Sequence, residues 1–474
     1  MAPPQPTSLG SSRGAEASTA SHSKKKKPAT PFAVQPISAF YVFLGANILA
    51  ALYAPIQDCD ETFNYWEPTH YLSHRYGLQT WEYSPEYAIR SWLYVMLHAL
   101  MGNFRRLLPF PTKVGEFYFI RYCLAFICAL CQTQMFRVIN GTLNPRVAMF
   151  FMMANIFSPG FFHASASYLP SSFAMYTTML GMAAFMNWRG GLKTAQGIFW
   201  FAVGGILGWP FSMALSAPFL IEEVIFASLS DKDAVIDTVM SKFSEFVVSG
   251  FFYRQLVIVP LNIVLYNIFS GEGRGPEIYG TEPWHFYIRN LILNFNIWFV
   301  LAISALPLFI LQKLFGSREG GTTTALRSVV FMAPFYIWLA IFTFQPHKEE
   351  RFMYPAYPCL ALNAAMSLHI VLAAFGHSDP KTLVGKIPAK LKLLFVSFFI
   401  IGSVDIGVAR IYGIYAAYSA PLKIYSPLQN GTIGARGDSV CFAKEWYRFP
   451  SSYHLPNGMK AKFVKSEFDG LLPG

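Results

Sequence analysis

Asp58, Asp60, Glu61 and Glu67 fall within ten residues of one another, in a chain of 474 residues whose charged side chains make up only 13% of the total. Carboxylates held close together and partly desolvated push one another's pKa upward, which suits one of them to accept a proton near neutral pH. A solvated cap at a helix start is the plainer use of such acids. A second charged stretch, 345–355, sets His347, Lys348 and Arg351 beside Glu349 and Glu350 between two apolar runs. Arginine grips phosphate oxygens in a bidentate fork and lysine adds a compact charge, so Lys348 and Arg351 suit an anionic lipid headgroup, and His347 can bind or protonate it. A salt-bridge cluster at a helix end is the alternative there. Arg121, near the end of an apolar run, is a reserve phosphate contact. Tyr168 in 163–170, and Tyr279, Glu282, Trp284 and His285 in the Gly- and Pro-rich 266–285, are types that stack on sugar rings or bind hydroxyls. Asp58 and Glu67 are assigned to the same acceptor- or sugar-binding set.

The elements that must position these residues are membrane helices. Hydrophobic residues make up 54% of the chain and aromatic residues 17%, which places it with all-α polytopic membrane proteins. The formal charge of +11 lies in short clusters between apolar runs rather than along one face, so it reads as topology signals and not as a nucleic-acid footprint. Residues 1–36, with lysines at 24–27, bury too little apolar surface to fold and are expected to form a disordered cytoplasmic tail. The first span, 37–56, then carries the acidic loop to the far side. Within that loop, 57–114, the stretch 62–76 reads as an amphipathic helix with Phe63, Trp66 and Tyr71 turned to the membrane, and 87–101 as an apolar segment that lies in the interface without crossing. Ten further spans follow, at 117–135, 147–162, 171–188, 196–212, 213–229, within 234–269, and at 286–311, 328–344, 353–375 and 391–417. One kinked helix over 196–229 fits that stretch as well as two.

With eleven spans in 37–417, the basic turns at 137–146, 189–193, 232–242, 313–327 and 381–392 all share the side of the N-terminal lysines, and the tail 418–474 shares the side of the acids. The absence of an internal repeat argues against a transporter built from two inverted halves. Of six cysteines, Cys123, Cys128, Cys131 and Cys359 lie in apolar runs, while Cys59 and Cys441 fall on the same side, which leaves a disulfide between them open. Asp58 and Asp60 mimic the Asp-x-Asp metal signature of nucleotide-sugar enzymes, yet a lipid monophosphate gives less reason for a divalent clamp, so no metal or other cofactor is expected.

The early Asp-Glu pair and the later His-Lys-Glu-Glu-Arg-Phe resemble the GT-C class of polyprenyl-phosphate-sugar glycosyltransferases. The stretch 58–70, with 169–172 (Leu-Pro-Ser-Ser), 208–212 (Gly-Trp-Pro-Phe-Ser), 260–267, 279–284 (Tyr-Gly-Thr-Glu-Pro-Trp) and 444–452, is similar to the endoplasmic-reticulum dolichyl-phosphate-mannose-dependent alpha-1,2-mannosyltransferases of N-glycan precursor assembly. That resemblance implies a GT-C fold with about eleven transmembrane helices, in-plane helices in the first lumenal loop and a small lumenal C-terminal tail. The chain stops at Gly474, short of the longer members of that family. The resemblance implies dolichyl phosphate mannose as donor and a dolichyl-diphosphate-linked oligosaccharide as acceptor, with inverting transfer to a 2-hydroxyl in the endoplasmic-reticulum membrane. On that scheme Asp60 is the base, Glu61 shares this role or orients the acceptor, and His347, Lys348 and Arg351 meet the donor phosphate. A related mannosyltransferase of another linkage or of glycolipid-anchor assembly, and a non-enzymatic lipid-linked-sugar transporter, are the competing readings.

Overall fold

The computed structural model describes residues 33–107, 112–187, 191–227, 259–268, 280–315, 322–376 and 384–464. Prolines and small polar residues set the helix ends. Helix α1 (Pro36–Tyr53) starts on a proline and stops at Ala54, whose extended backbone (φ −67, ψ 122) is what a residue before proline adopts. Two helices occupy the first loop, α2 (Glu67–His74) and α3 (Trp92–Asn103). At 12 residues α3 is about 18 Å long, too short for a hydrocarbon core of about 30 Å.

The centre of the bundle is α4 (Lys113–Thr142), which packs against α1, α5 (Pro145–Phe157) and α7 (Pro170–Met186), with the short α6 (Pro159–Ala164) between the last two. A buried amide chain ties three of them. Asn47 Nδ2 donates to Gln132 Oε1 at 2.9 Å, and Gln132 Nε2 donates to Asn155 Oδ1 at 3.1 Å. Such bonds hold helices together where the surroundings are as apolar as the side chains.

Further along, α8 (Gly191–Val203) unwinds through a π-turn at Gly204–Gly208 into an extended Trp209 and a 3-10 stretch, Pro210–Ser216, before α9 (Ala217–Ala227). After α10 (Val259–Ile268), the apolar run 286–311 is split at Asn296 (φ 42) into α11 (Phe286–Phe295) and α12 (Ile297–Phe315). Then come α13 (Thr322–Phe344), a 3-10 turn at Glu350–Ala356, α14 (Tyr357–Phe375) and α15 (Ala389–Tyr418). Among the described residues six helices are long and apolar enough to cross a membrane: Pro36–Tyr53, Lys113–Thr142, Ile297–Phe315, Leu326–Phe344, Glu350–Phe375 and Ala389–Tyr418. The chain is a multi-pass membrane protein. Residues 1–32, most of the span expected within 234–269, and Tyr279 lie outside the described residues.

The C-terminal segment folds back on the first loop. Strands β1 (Ser439–Phe442) and β2 (Lys460–Phe463) pair in parallel and close a small core of Phe63, Tyr425, Phe449, Leu455 and Met459. This corrects the expectation for Phe63 and Trp66. Both are buried inward, Phe63 against Trp446, Phe449 and Phe463, and Trp66 against Phe117, Tyr168 and Tyr453. An amphipathic pattern shows that one face is covered, not by what; here the cover is protein. Cys59 and Cys441 are both free thiols.

Candidate active site

The chain leaves α1 at Ala54, and the carbonyls of Ala50 in its last turn and of Ala54 just beyond it accept from Arg121 Nη2 at 3.2 and 2.7 Å. Asp58 then caps a single helical turn by accepting from the Asp60 N–H at 2.9 Å, and both aspartates line a cavity of about 400 Å³. The next residues, Thr62–Trp66, form a π-turn, a geometry often found at functional sites. From the turn between α13 and α14, far along the sequence, His347, Glu349 and Arg351 line the same cavity.

Arg351 binds three carboxylates at once. Its Nη2 lies 2.6 Å from Asp60 Oδ2, its Nε lies 3.1 Å from Asp58 Oδ2, and Nε also pairs with Glu349. One guanidinium cannot neutralise three acids, and the two aspartates are driven apart. Burial, reinforced by the charges of Glu349 and Asp60, pushes Asp58 up to about 8 against the pull of Arg351. For Asp60, burial also favours the neutral acid, but the charges of Arg351 and Arg90 outweigh it and hold the carboxyl below its ordinary value. The surroundings therefore bias the two aspartates in opposite directions, Asp58 toward the neutral acid and Asp60 toward the carboxylate, the kind of division that separates donor from base in a carboxyl pair. Burial likewise works against the charge on His347. Its two ring nitrogens, however, face Glu349 Oε1 at 3.1 Å and the Gly280 carbonyl at 2.8 Å, so its pKa is raised and the cation favoured.

Other expected site residues take different places. Glu61, 6% exposed, accepts from Trp66 Nε1, Ser167 Oγ and the Tyr168 N–H, which anchors the 163–170 loop. Glu67 accepts from the N–H and Oγ of Ser452 and from the Leu78 N–H, tying the C-terminal segment to α2. Tyr168 is fully buried and bonds Thr69 at 2.7 Å. Lys348 turns its ammonium to the carbonyls of Glu282 and Gln345, bracing the loop, and neither it nor Arg121 lines the cavity. Glu282 and Trp284 are exposed and His285 stands at the N-cap position of α11 without a side-chain capping bond, and none of the three lines the cavity. Replacing Glu67 by alanine would take the acceptor from the buried N–H and hydroxyl of Ser452 and from the half-buried Leu78 N–H. The expected cost is about 2–4 kcal/mol, read as a lower thermal midpoint in detergent together with faster proteolysis of the C-terminal segment.

Several further residues line the cavity or touch its aspartates. Arg90 pairs with Glu82, donates to Tyr65 OH at 2.8 Å and lies 3.6 Å from Asp60 Oδ2. Glu349 looked like a salt-bridge partner only. Trp446 reaches the cavity from the C-terminal segment, and Trp81, Trp209 and Tyr266 complete an aromatic rim. The ligand atoms of Asp58, Cys59 and Asp60 lie within 4.8 Å of one another, close enough for a cation. Burial pushes the Cys59 thiol well up, so it stays protonated, and Asp60 already faces a guanidinium. That donor set fits a divalent ion poorly.

The fold is that of the GT-C glycosyltransferases: a crystal structure of ArnT from Cupriavidus metallidurans bound to undecaprenyl phosphate superposes with a TM-score of 0.57 at 10% identity, covering 90% of this chain and 85% of that one. The chain belongs to the Alg9-like mannosyltransferase family, whose model matches residues 38–456. It is 41% identical to alpha-1,2-mannosyltransferase alg9 of Schizosaccharomyces pombe over 95% of this chain and 78% of that protein. To the Homo sapiens alpha-1,2-mannosyltransferase ALG9 it is 36% identical, over 98% of this chain and 77% of that one.

Proposed function

We propose that this cavity moves mannose from dolichyl phosphate mannose to the 2-hydroxyl of a mannose on a dolichyl-diphosphate-linked oligosaccharide. The chain is a mannosyltransferase by family, and its relatives carry the alpha-1,2 activity in their names. The observation that carries the reading is Arg351. It joins the acidic loop to the cationic loop at a single cavity, with a base candidate and a phosphate-binding cation side by side.

Asp60 takes the acceptor proton as the hydroxyl oxygen bonds C1 of the donor sugar from the face opposite the phosphate. The C1–O bond breaks, and its electron pair leaves on the phosphate oxygen, where Arg351 and cationic His347 stabilise the growing charge. One displacement inverts the anomeric centre. Burial biases Asp58 toward its neutral acid, which lessens the negative charge in the cavity beside the incoming phosphate. The domain reading is a cytoplasmic tail at 1–36, a catalytic body at 37–417 and a C-terminal tail at 418–474, with the site and that tail in the lumen of the endoplasmic reticulum.

The test is to incubate the purified protein with a synthetic polyprenyl-phosphate mannose and defined lipid-linked glycans, then to read the linkage formed. An alpha-1,2 product on the lipid-linked acceptor is expected; transfer only to a glycolipid-anchor acceptor, or no transfer, overturns the reading. Activity in chelator is expected to stay within about twofold of the untreated rate, because charge that a metal would supply comes from Arg351 and His347. Its abolition, with recovery in manganese or magnesium, is the contrary result.

A further inference from the structure

Arg90 turns its three guanidinium nitrogens to three different side chains. Its Nε pairs with Glu82 Oε2, its Nη1 donates to the Tyr65 hydroxyl at 2.8 Å, and its Nη2 lies 3.6 Å from Asp60 Oδ2. A guanidinium is a rigid plane, so fixing two of its nitrogens fixes the direction of the third. Both anchors are themselves held. Tyr65 is buried, its ring against Tyr94 and Tyr168. Glu82 Oε1 accepts from Asn64 Nδ2 at 3.4 Å, and the Glu82 carbonyl accepts from the Ile89 N–H at 3.1 Å, which folds the chain back and brings Arg90 beside it. Arg351 is placed differently. Its guanidinium is divided among Asp58, Asp60 and Glu349 and, on the function proposed above, stands where the donor phosphate enters.

A phosphate that draws Arg351 toward itself takes from Asp60 the cation now 2.6 Å away, just when the carboxylate has to meet the acceptor hydroxyl. The other titratable groups lining the cavity do not replace that cation. Asp58 and Cys59 on the same turn, Glu82 from the first loop and Glu349 from the turn between α13 and α14 are acids, Tyr65 is a buried phenol, and His347 already faces Glu349 and the Gly280 carbonyl. We propose that Arg90 is the positioning residue for this base: clamped by Glu82 and Tyr65, it keeps the Asp60 carboxylate charged and oriented once the donor phosphate has taken Arg351. The two arginines thereby divide the work, Arg351 on the leaving group and Arg90 on the base. This rests on the function proposed above.

The test is the pH profile of kcat, which reports groups in the substrate complex and so reads Asp60 with the donor bound. Removing a nearby cation lets a carboxyl hold its proton to higher pH, and Arg90 weighs on Asp60 more than Glu82 does. The double variant Glu82→Gln with Arg90→Gln leaves neither charge of the pair buried alone. In it the acidic limb of kcat is expected to move to higher pH and kcat at neutral pH to fall about tenfold, with calorimetric affinity for a short-chain polyprenyl phosphate within about twofold. Tyr65→Phe removes one anchor and keeps the ring; the limb is expected to move the same way and kcat to fall about threefold. If the limb stays in place in both variants, or if polyprenyl-phosphate affinity falls about tenfold instead of kcat, the assignment of Arg90 is overturned and the proposed function stands. An unaltered protein that transfers no mannose overturns both.

Discussion

Asp60→Asn is expected to lower kcat by about a thousandfold, with donor binding and thermal stability near those of the unaltered protein. The amide keeps the size of the carboxylate and can still accept from Arg351 Nη2, which now sits 2.6 Å away, but it cannot take a proton. Asp58→Asn is the informative contrast. Because burial pushes Asp58 toward the neutral acid, an amide is a close mimic of it, and a loss of no more than about tenfold is expected. The sign of the pH response follows from the same charges. Arg351 and Arg90 hold Asp60 below the ordinary carboxylate range, so the rate is lost on acidification only as pH falls through that lowered value. Equal losses in the two variants, or turnover within tenfold of normal in Asp60→Asn, remove Asp60 as the base.

Arg351→Ala is expected to lower kcat/KM at least a hundredfold, through weaker donor binding and a higher barrier together. The guanidinium serves Asp58, Asp60 and Glu349 at rest, and its removal leaves three acids facing one another around the place the donor phosphate must occupy. Arg351→Lys keeps one charge but not the fork, so an intermediate loss is expected. Measuring polyprenyl-phosphate affinity beside kcat separates the two contributions. Unchanged donor affinity in both variants reduces Arg351 to a structural tie between loops.

The positions of Asp58, Asp60, His347 and Arg351 could be picked out beforehand because a polar cluster between apolar runs is costly unless something uses it. Their convergence on one cavity was an inference from which side each loop should emerge, and the structure supplies the contact distances. Glu61, Glu67 and Lys348 looked alike in the sequence and differ in space. The first two carboxylates meet N–H groups and hydroxyls that hold the chain together, and the lysine meets carbonyls. Nothing in residue type separates a carboxylate that binds a backbone from one that faces a cavity. Arg90 has no chemical role in the sequence reading and Trp446 enters it only within the resemblance of 444–452, for the converse reason that each stands in a segment whose purpose depends on what it packs against.

Hydrophobic composition and the order of apolar and charged runs thus determined the class of this protein, since transfer free energies act on each segment locally and need no partner. Tertiary packing decided which charges are free to react. Burial and the nearest opposite charge set the protonation of Asp58 and Asp60, and both depend on Arg351, which reaches them only when the bundle has closed.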